Sequence, residues 1–548
     1  MELNKKIVIS LAAVCLTLSC FTLKAQKYWV KFTDKIGSPY STNNPGAFLS
    51  AKSVARRVTQ GITVNITDIP VNQTYINQVN ATGAVVFQCS KWFNAAIVII
   101  SNTTQLNAVN SLSCVLSSTP VNRYHSTKPD EILPAPQHTV QRSSPVTFGY
   151  NYGPSITQVT QLNLECMHNK GFRGQNMTIA VIDDGFNNAD VNPVFDSLRN
   201  EGRVLGTRDI VAGNTFVYED DSHGAMVLSC MAGNSPGNLI GTSPKASFYL
   251  LRSEDVSSEK IIEEDNYVVA AELADSLGVD IITTSLGYTT FDISSQDHTY
   301  ADLNGKTSVA SIAATMAVRK GIFVLNAAGN EGASAWQRVG VPADADSICT
   351  VGSVNGSGQH SGFSSVGPTA DGRIKPDVST MGEGTYVCQP SGAFTSGNGT
   401  SFACPIMAGA VACLWQANPG KTNWQVLSAI RNASTQYATP DNNYGWGIPN
   451  MCLANTYLAA MPTGIKETKK DAVKLFPNPA KNQISFNVSG TADLVALTDV
   501  LGHAVDFNLT QKETGNYTVQ FNAATASGIY FITVKTGDGS FQSKFIKE

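Results

Sequence analysis

An α/β fold, a parallel sheet with helices on both faces, is predicted for residues 143–461, and three observations predict it. Continuous apolar runs recur there, MTIAVID, VDIITTSLG, IFVLNAAGN and SICTVGSVN. Strands of that kind are buried on both faces, which is the mark of a parallel sheet. Helical segments such as TSVASIAATMAVRKG fall between the runs, as crossover connections require. Third, the 548-residue chain is longer than one hydrophobic core sustains, so this domain shares it with others.

The other segments follow in order. The chain opens on MELNKKIVISLAAVCLTLSCFTLKAQ, with Lys5 and Lys6, an apolar stretch from Ile7 to Leu23, and Ala25 before Gln26. This reads as a secretory signal peptide, residues 1–25. No later stretch is apolar for long enough to span a bilayer. Residues 26–142 mix strand-like KYWVKF, GAVVFQCS and NAAIVII with helical PGAFLSAKSVARRVTQG and NQTYINQVNATG, a small α+β unit. It closes on the polar, proline-containing HSTKPDEILPAPQHTVQRSSP, a boundary and a protease-sensitive linker. A second polar linker covers 462–473. From 474 to 548 short alternating pieces, NQISFNV, DLVALTDV, YTVQF and GIYFITVKT, are separated by Gly, Asn and Asp turns. They predict a small antiparallel β-sandwich.

Composition narrows the function classes. There are 38 Lys+Arg against 42 Asp+Glu, a net charge of −4, with no basic block to track a phosphate backbone, which excludes nucleic acid as a partner. Of 11 cysteines, nine lie beyond the signal peptide, none in C-x-x-C spacing, so a zinc site is not expected. An odd number leaves at least one thiol unpaired. Cys404 and Cys413 sit in an apolar run as small core residues. An exported protein can form disulfides among the others, though sequence does not say which.

Ligands of open parallel sheets collect at the carboxyl ends of the strands, so reactive side chains are sought there. The strand TIAVI ends at Asp183-Asp184-Gly185; DDSHGAMVLSCMAG places His223 before a small-residue helix; IFVLNAAGN ends at Asn330; GTSFACP supplies Ser401 at a helix start. Singly, each has a bland explanation, Ser401 as a helix N-cap for example. Together they match a chemical requirement. A serine hydroxyl is a weak nucleophile, so a base must take its proton as it attacks a carbonyl, and that base must be held in one tautomer by a carboxylate. An amide donor can then bind the oxyanion that forms.

Asp, then His, then Ser is the chain order of subtilisin. The segments AVIDDG, SHGAMV, TTSLG, AAGNEG, FSSVGPTADGRIKPDV, GTSFACP and YGWGIPN resemble subtilisin-family text in the same order, over Tyr152 to Leu458. The resemblance implies a subtilisin-like peptidase domain and a secreted serine endopeptidase made as a precursor. It assigns Asp183, His223 and Ser401 to the triad and Asn330 to the oxyanion. It also implies that Ser285, Leu286 and Gly287 pair with an extended peptide, that Ala327, Ala328 and Gly329 wall the pocket before the scissile bond, and that Gly340 lies at its base. A glycine there implies a preference for Phe, Tyr, Leu or Met. Two positions depart from the family pattern. Asp184 stands where Ser or Thr is usual, placing a second carboxylate by the base that would raise its pKa, and the usual HGTHVAG is His223-Gly224-Ala225-Met226-Val227-Leu228-Ser229.

The flanking segments carry resemblances of their own. A short α+β segment ahead of the peptidase resembles a subtilase propeptide, with self-cleavage expected between about Pro134 and Tyr150. The tail, opening LFPNPAKNQISF and closing GIYFITVKTGDGSFQSKFIKE, resembles the C-terminal sorting domain of the type IX secretion system of Bacteroidota. The expected partners are polypeptide substrates and that machinery, the expected state a monomer, and the expected location secreted or cell-surface, reached through the periplasm. Triad chemistry needs no cofactor. Related enzymes often hold structural calcium, but no D-x-D-x-D-G spacing assigns a site here. The competing class is a catalytically silent surface-binding or adhesion protein that keeps the fold.

Overall fold

The computed structural model describes residues 25–121, 149–219, 221–462, 475–488, 491–499, 505–522, 525–536 and 539–548. Residues 1–24 of the signal peptide, the 125–145 stretch, most of the expected self-cleavage window and residues 463–473 of the second linker lie outside the described residues. Two compact units result, residues 1–462 and 463–548.

At the centre is a seven-stranded sheet, parallel throughout, in the order Val378–Met381, Cys349–Val354, Phe323–Ala327, Ile281–Thr284, Thr178–Asp183, Ser247–Arg252, Val204–Asp209. The apolar runs form these strands because both faces are covered. Along Thr178–Asp183, Ile179 and Val181 enter one core while Ala180 and Ile182 enter the other. The first core holds helices His223–Ala232 and Thr400–Gln416, the second Ile262–Leu277 and Val309–Arg319. Helix Thr400–Gln416 is buried from Thr400 to Trp415, as a helix apolar on every side must be. Both Cys404 and Cys413 are core thiols within it.

A disulfide joins Cys166, in helix Glu165–Asn169, to Cys452, in helix Met451–Ala460, 286 residues apart. Cross-linking a loop that long removes much of the unfolded chain's freedom, and such bonds contribute about 2–5 kcal/mol. The seven other described cysteines are free.

Residues 26–120 form a four-stranded antiparallel sheet, ordered Val85–Ser90, Ala95–Ile100, Gln26–Phe32, Val115–Pro120. One face (Tyr28, Val30, Val98, Ile100) packs on its own helices through Val79 and Val109. The other (Trp29, Trp92, Ile97) joins the peptidase core with Val268, Ala271 and Ala274 of helix Ile262–Leu277. Around that contact the charges are buried and paired. Asp275 receives Arg56 at 2.6 Å, Arg57 at 2.8 Å and Lys91 at 2.9 Å. Burial alone would raise its acid, but Lys91, Arg56 and Arg57 hold it below the usual carboxylate range. Glu272 accepts Ser90 Oγ at 2.5 Å and the N–H groups of Lys91 and Trp92 at 2.7 and 3.0 Å. Both acids lie in the last turns of their helix, where the dipole disfavours negative charge, so the arriving cations and N–H groups relieve an unfavourable arrangement. Removing one partner from such a buried pair typically costs about 3–5 kcal/mol. Gly278 ends the helix at φ +83°, and a Cβ there would fall 2.5 Å from Ser53 N, so a glycine serves both the cap and the seat.

The second unit has two three-stranded antiparallel sheets. Ile484, Phe486, Tyr517 and Val519 from one share a core with Leu497, Tyr530, Ile532 and Phe545 from the other. The expected fold class is thus observed in all three parts.

Candidate active site

The sequence-predicted residues converge at the carboxyl edge of the central sheet. Asp183 is the last residue of its strand and fully buried. His223 is the first residue of helix His223–Ala232, and its Nδ1 lies 2.7 Å from Asp183 Oδ1. The two can approach because the helix start packs directly on the Asp183–Gly185 turn. A Cβ on Gly224 would meet Gly185 O at 2.2 Å and Asp183 Cβ at 3.0 Å, so only glycine fits after the histidine.

Ser401 occupies the second position of helix Thr400–Gln416, and its first turn lies against the imidazole: the His223 and Phe402 rings are 6.1 Å apart. The capping reading is corrected here. The N-cap is Gly399, which has no side chain to cap with, and Ser401 is already inside the helix. Its hydroxyl is therefore not spent on the cap. A Cβ on Gly399 would lie 2.7 Å from Ser401 Oγ and 3.8 Å from Asn330 Nδ2, which puts hydroxyl and amide around one point.

Asn330 is exposed, just past strand Phe323–Ala327. Its Oδ1 accepts Thr400 N–H at 2.9 Å and Thr400 Oγ–H at 3.0 Å. An amide whose oxygen is held this way has its NH₂ turned outward as a donor, as an oxyanion hole needs. Thr400 was not singled out from sequence; its place next to the serine in GTSFACP is the signal that could have found it. Arg252, whose Nε donates to Asp184 O at 3.0 Å while Nη1 pairs with buried Asp209 at 2.9 Å, steadies the carboxylate turn and left no such signal.

Asp184 lies beside the pair, Oδ2 at 4.0 Å from His223 Nδ1, and its Oδ1 accepts Gly224 N–H at 3.2 Å. Burial first, then the charge of Asp183, push its acid well above the usual carboxylate range, which favours the neutral form. An acid raised in this way places less negative charge beside the imidazole than an ordinary carboxylate would. Asp183, Asp184 and His223 also bring their ligand atoms within 4.8 Å of one another, the one such group among the described residues.

The remaining predicted residues border this centre. Ser285, Leu286 and Gly287 continue past strand Ile281–Thr284; Gly287 is exposed. Tyr288 and Val341 exchange backbone bonds of 2.7 and 3.1 Å, which ties this segment to Gly340. A Cβ on Gly340 would meet Tyr288 O and Thr289 Cγ2 at 3.3 Å each. Ala327 and Ala328 are buried, and Gly329 turns at φ +104° with Ser365 Oγ 2.9 Å from where a Cβ would stand.

The "Subtilase family" profile matches residues 174–447, "Peptidase S8 propeptide domain, Bacteroidota" matches 27–132, and "Secretion system C-terminal sorting domain" matches 474–548. Subtilisin NAT of Bacillus subtilis subsp. natto is 32% identical over 309 residues, 56% of this chain and 72% of its own. Subtilisin E of Bacillus subtilis (strain 168) is 31% identical over the same shares, and subtilisin of Bacillus pumilus 31% over 54% and 96%. A crystal structure of MycP1 with the N-terminal propeptide removed is similar over 56% of this chain and 98% of its own, at 24% identity and a TM-score of 0.44.

Burial and the charge of Asp183 favour the protonated form of Asp184, and a variant tests this. Asp184→Asn, which keeps shape and acceptor, should leave kcat/KM within about threefold and the acidic limb of its pH profile in place. A limb displaced downward by about one unit would show instead that Asp184 is ionised and feeds the base.

Proposed function

The chain belongs to the subtilase family and is a serine endopeptidase made as a precursor, with a propeptide and a type IX sorting tail; on that premise we propose the roles of its site residues. Ser401 attacks the peptide carbonyl. His223 takes its proton and returns it to the leaving amine, while Asp183 holds the imidazole and stabilises its cation. Asn330 and the Ser401 backbone N–H bind the oxyanion, helped by the positive end of helix Thr400–Gln416. Losing one oxyanion donor typically costs about 100- to 1000-fold in kcat. The 2.7 Å bond between His223 Nδ1 and buried Asp183 carries the reading, since it supports the tautomer whose proton sits on Nδ1 and whose Nε2 lone pair can accept the serine proton. No step needs a cofactor, and one chain supplies every group, in keeping with a monomer.

The substrate is a polypeptide. We propose that Ser285–Gly287 accepts it as an added strand and that Ala327, Ala328, Gly329 and Gly340 shape the pocket for the residue before the cut. The exposed backbone at Gly287 and the lack of a side chain at Gly340 support this. The sorting tail and signal peptide imply export, to secretion or surface attachment. No helix among the described residues is long and apolar enough to cross a membrane. We propose a route through the periplasm, with the tail directing outer-membrane passage.

Three outcomes test the reading. A fluorophosphonate probe should label the wild-type enzyme and not Ser401→Ala, which should also remain unprocessed when purified alone; labelling of that variant would remove Ser401 from the nucleophile's role. A peptide library should be cut after Phe, Tyr, Leu or Met, and a profile dominated by Arg, Lys or Asp would refute the pocket assignment. Deleting residues 474–548 should retain activity in the periplasm; unchanged secretion would contradict the tail's role.

A further inference from the structure

Ser401 sits in a helix that has given up one of its own hydrogen bonds. In an α-helix the carbonyl of residue i accepts the N–H of residue i+4, and four residues after Ser401 stands Pro405, inside helix Thr400–Gln416. Proline has no N–H, and its ring crowds the carbonyl of residue i−4. The Ser401 carbonyl is therefore left without its i+4 donor in a turn whose residues are all buried. The bond is supplied from outside. Ser285 Oγ donates to Ser401 O at 2.8 Å, from a residue 116 positions earlier in the chain.

What holds Ser285 makes this more than a satisfied carbonyl. It is the first residue beyond strand Ile281–Thr284, and Thr284 is in register with Ile182, one residue before Asp183, on one side and with Asn326 on the other. Thr283 Oγ1 lies 3.4 Å from Cys404 Sγ, a second contact between this strand and the first turns of the helix. The hydroxyl thus fixes the nucleophile's backbone to the strand lying between the one that ends in the base's carboxylate and the one that leads to Asn330.

We propose that Ser285 is a positioning residue for Ser401: its hydroxyl replaces the N–H that Pro405 removes and sets the height of the nucleophile against His223 and Asn330. The role rests on reading Ser401 as the nucleophile. It differs from a substrate contact, because it acts through the backbone of the nucleophile and can be supplied by another donor.

That substitutability defines the test. In the matured full-length enzyme, Ser285→Ala should lower kcat on a fluorogenic peptide by about 10- to 100-fold with KM within about threefold, and slow fluorophosphonate labelling in parallel. Ser285→Thr, which keeps the hydroxyl, should regain most of the labelling rate that Ser285→Ala loses. Adding Pro405→Ala to Ser285→Ala restores an N–H four residues after Ser401, and the double variant should recover to within about threefold of the wild-type rate. Should Ser285→Ala fail to mature, the double variant decides: regained maturation and labelling support the inference, and continued failure overturns it. A Ser285→Ala effect confined to KM, or a slow kcat that the double variant does not recover, also overturns it. Labelling lost in Ser401→Ala yet undiminished in Ser285→Ala overturns this inference alone, whereas labelling that survives Ser401→Ala removes the nucleophile reading beneath it.

Discussion

The hydrogen bond between His223 Nδ1 and Asp183 Oδ1 is the interaction on which the rest of the structure depends. Asp183 is fully buried, and a buried carboxylate needs partners that favour its charge. It has them on one oxygen: the imidazole at 2.7 Å and Asp184 N–H at 3.1 Å. For the imidazole to arrive, helix His223–Ala232 must begin against the turn after strand Thr178–Asp183, which requires Gly224. For Ser401 to meet the imidazole, a second helix must start at the same edge. A parallel sheet satisfies both demands because every strand ends on one side, and each following loop and helix start there.

Parallel strands alone give proximity of about an ångström or two, and catalysis asks for better. The finer adjustment comes from polar contacts between segments far apart in sequence. Thr400 turns the Asn330 amide, Arg252 grips the Asp184 carbonyl, and Ser285 holds the Ser401 carbonyl. Each is a donor from one strand end or helix start meeting an acceptor from another, so the site is rigid through a mesh of bonds and not through any one element. The propeptide-like segment uses the same physics at a different place, where its cations, its Ser90 hydroxyl and its N–H groups meet Asp275 and Glu272 near the end of helix Ile262–Leu277.

Much of this was legible beforehand, for identifiable reasons. Strands buried on both faces write themselves as unbroken apolar runs, so Thr178–Asp183 and Phe323–Ala327 could be read directly, and residues at their carboxyl ends became candidates by topology. The order Asp183, His223, Ser401 then selected among them. What stayed hidden is whatever depends on three-dimensional meeting. No local pattern pairs Cys166 with Cys452, since 286 residues separate them. None pairs Ser285 with Ser401 or Arg252 with the Asp184 turn. The capping reading of Ser401 failed by two residues, because Gly399 in GTSFACP takes the cap and propensity gave serine the preference. The upward push on the Asp184 acid also needed the structure, because it comes first from burial that sequence does not display.

The proposed triad carries the substrate's acyl group on one oxygen, that of Ser401. Mixing the mature enzyme with an activated ester, quenching in acid within milliseconds and mapping the peptides by mass spectrometry tests it directly. The expected result is a single acyl adduct on Ser401 that appears before product and decays as product forms. An adduct on a different residue, or turnover with no adduct at any time, would contradict it.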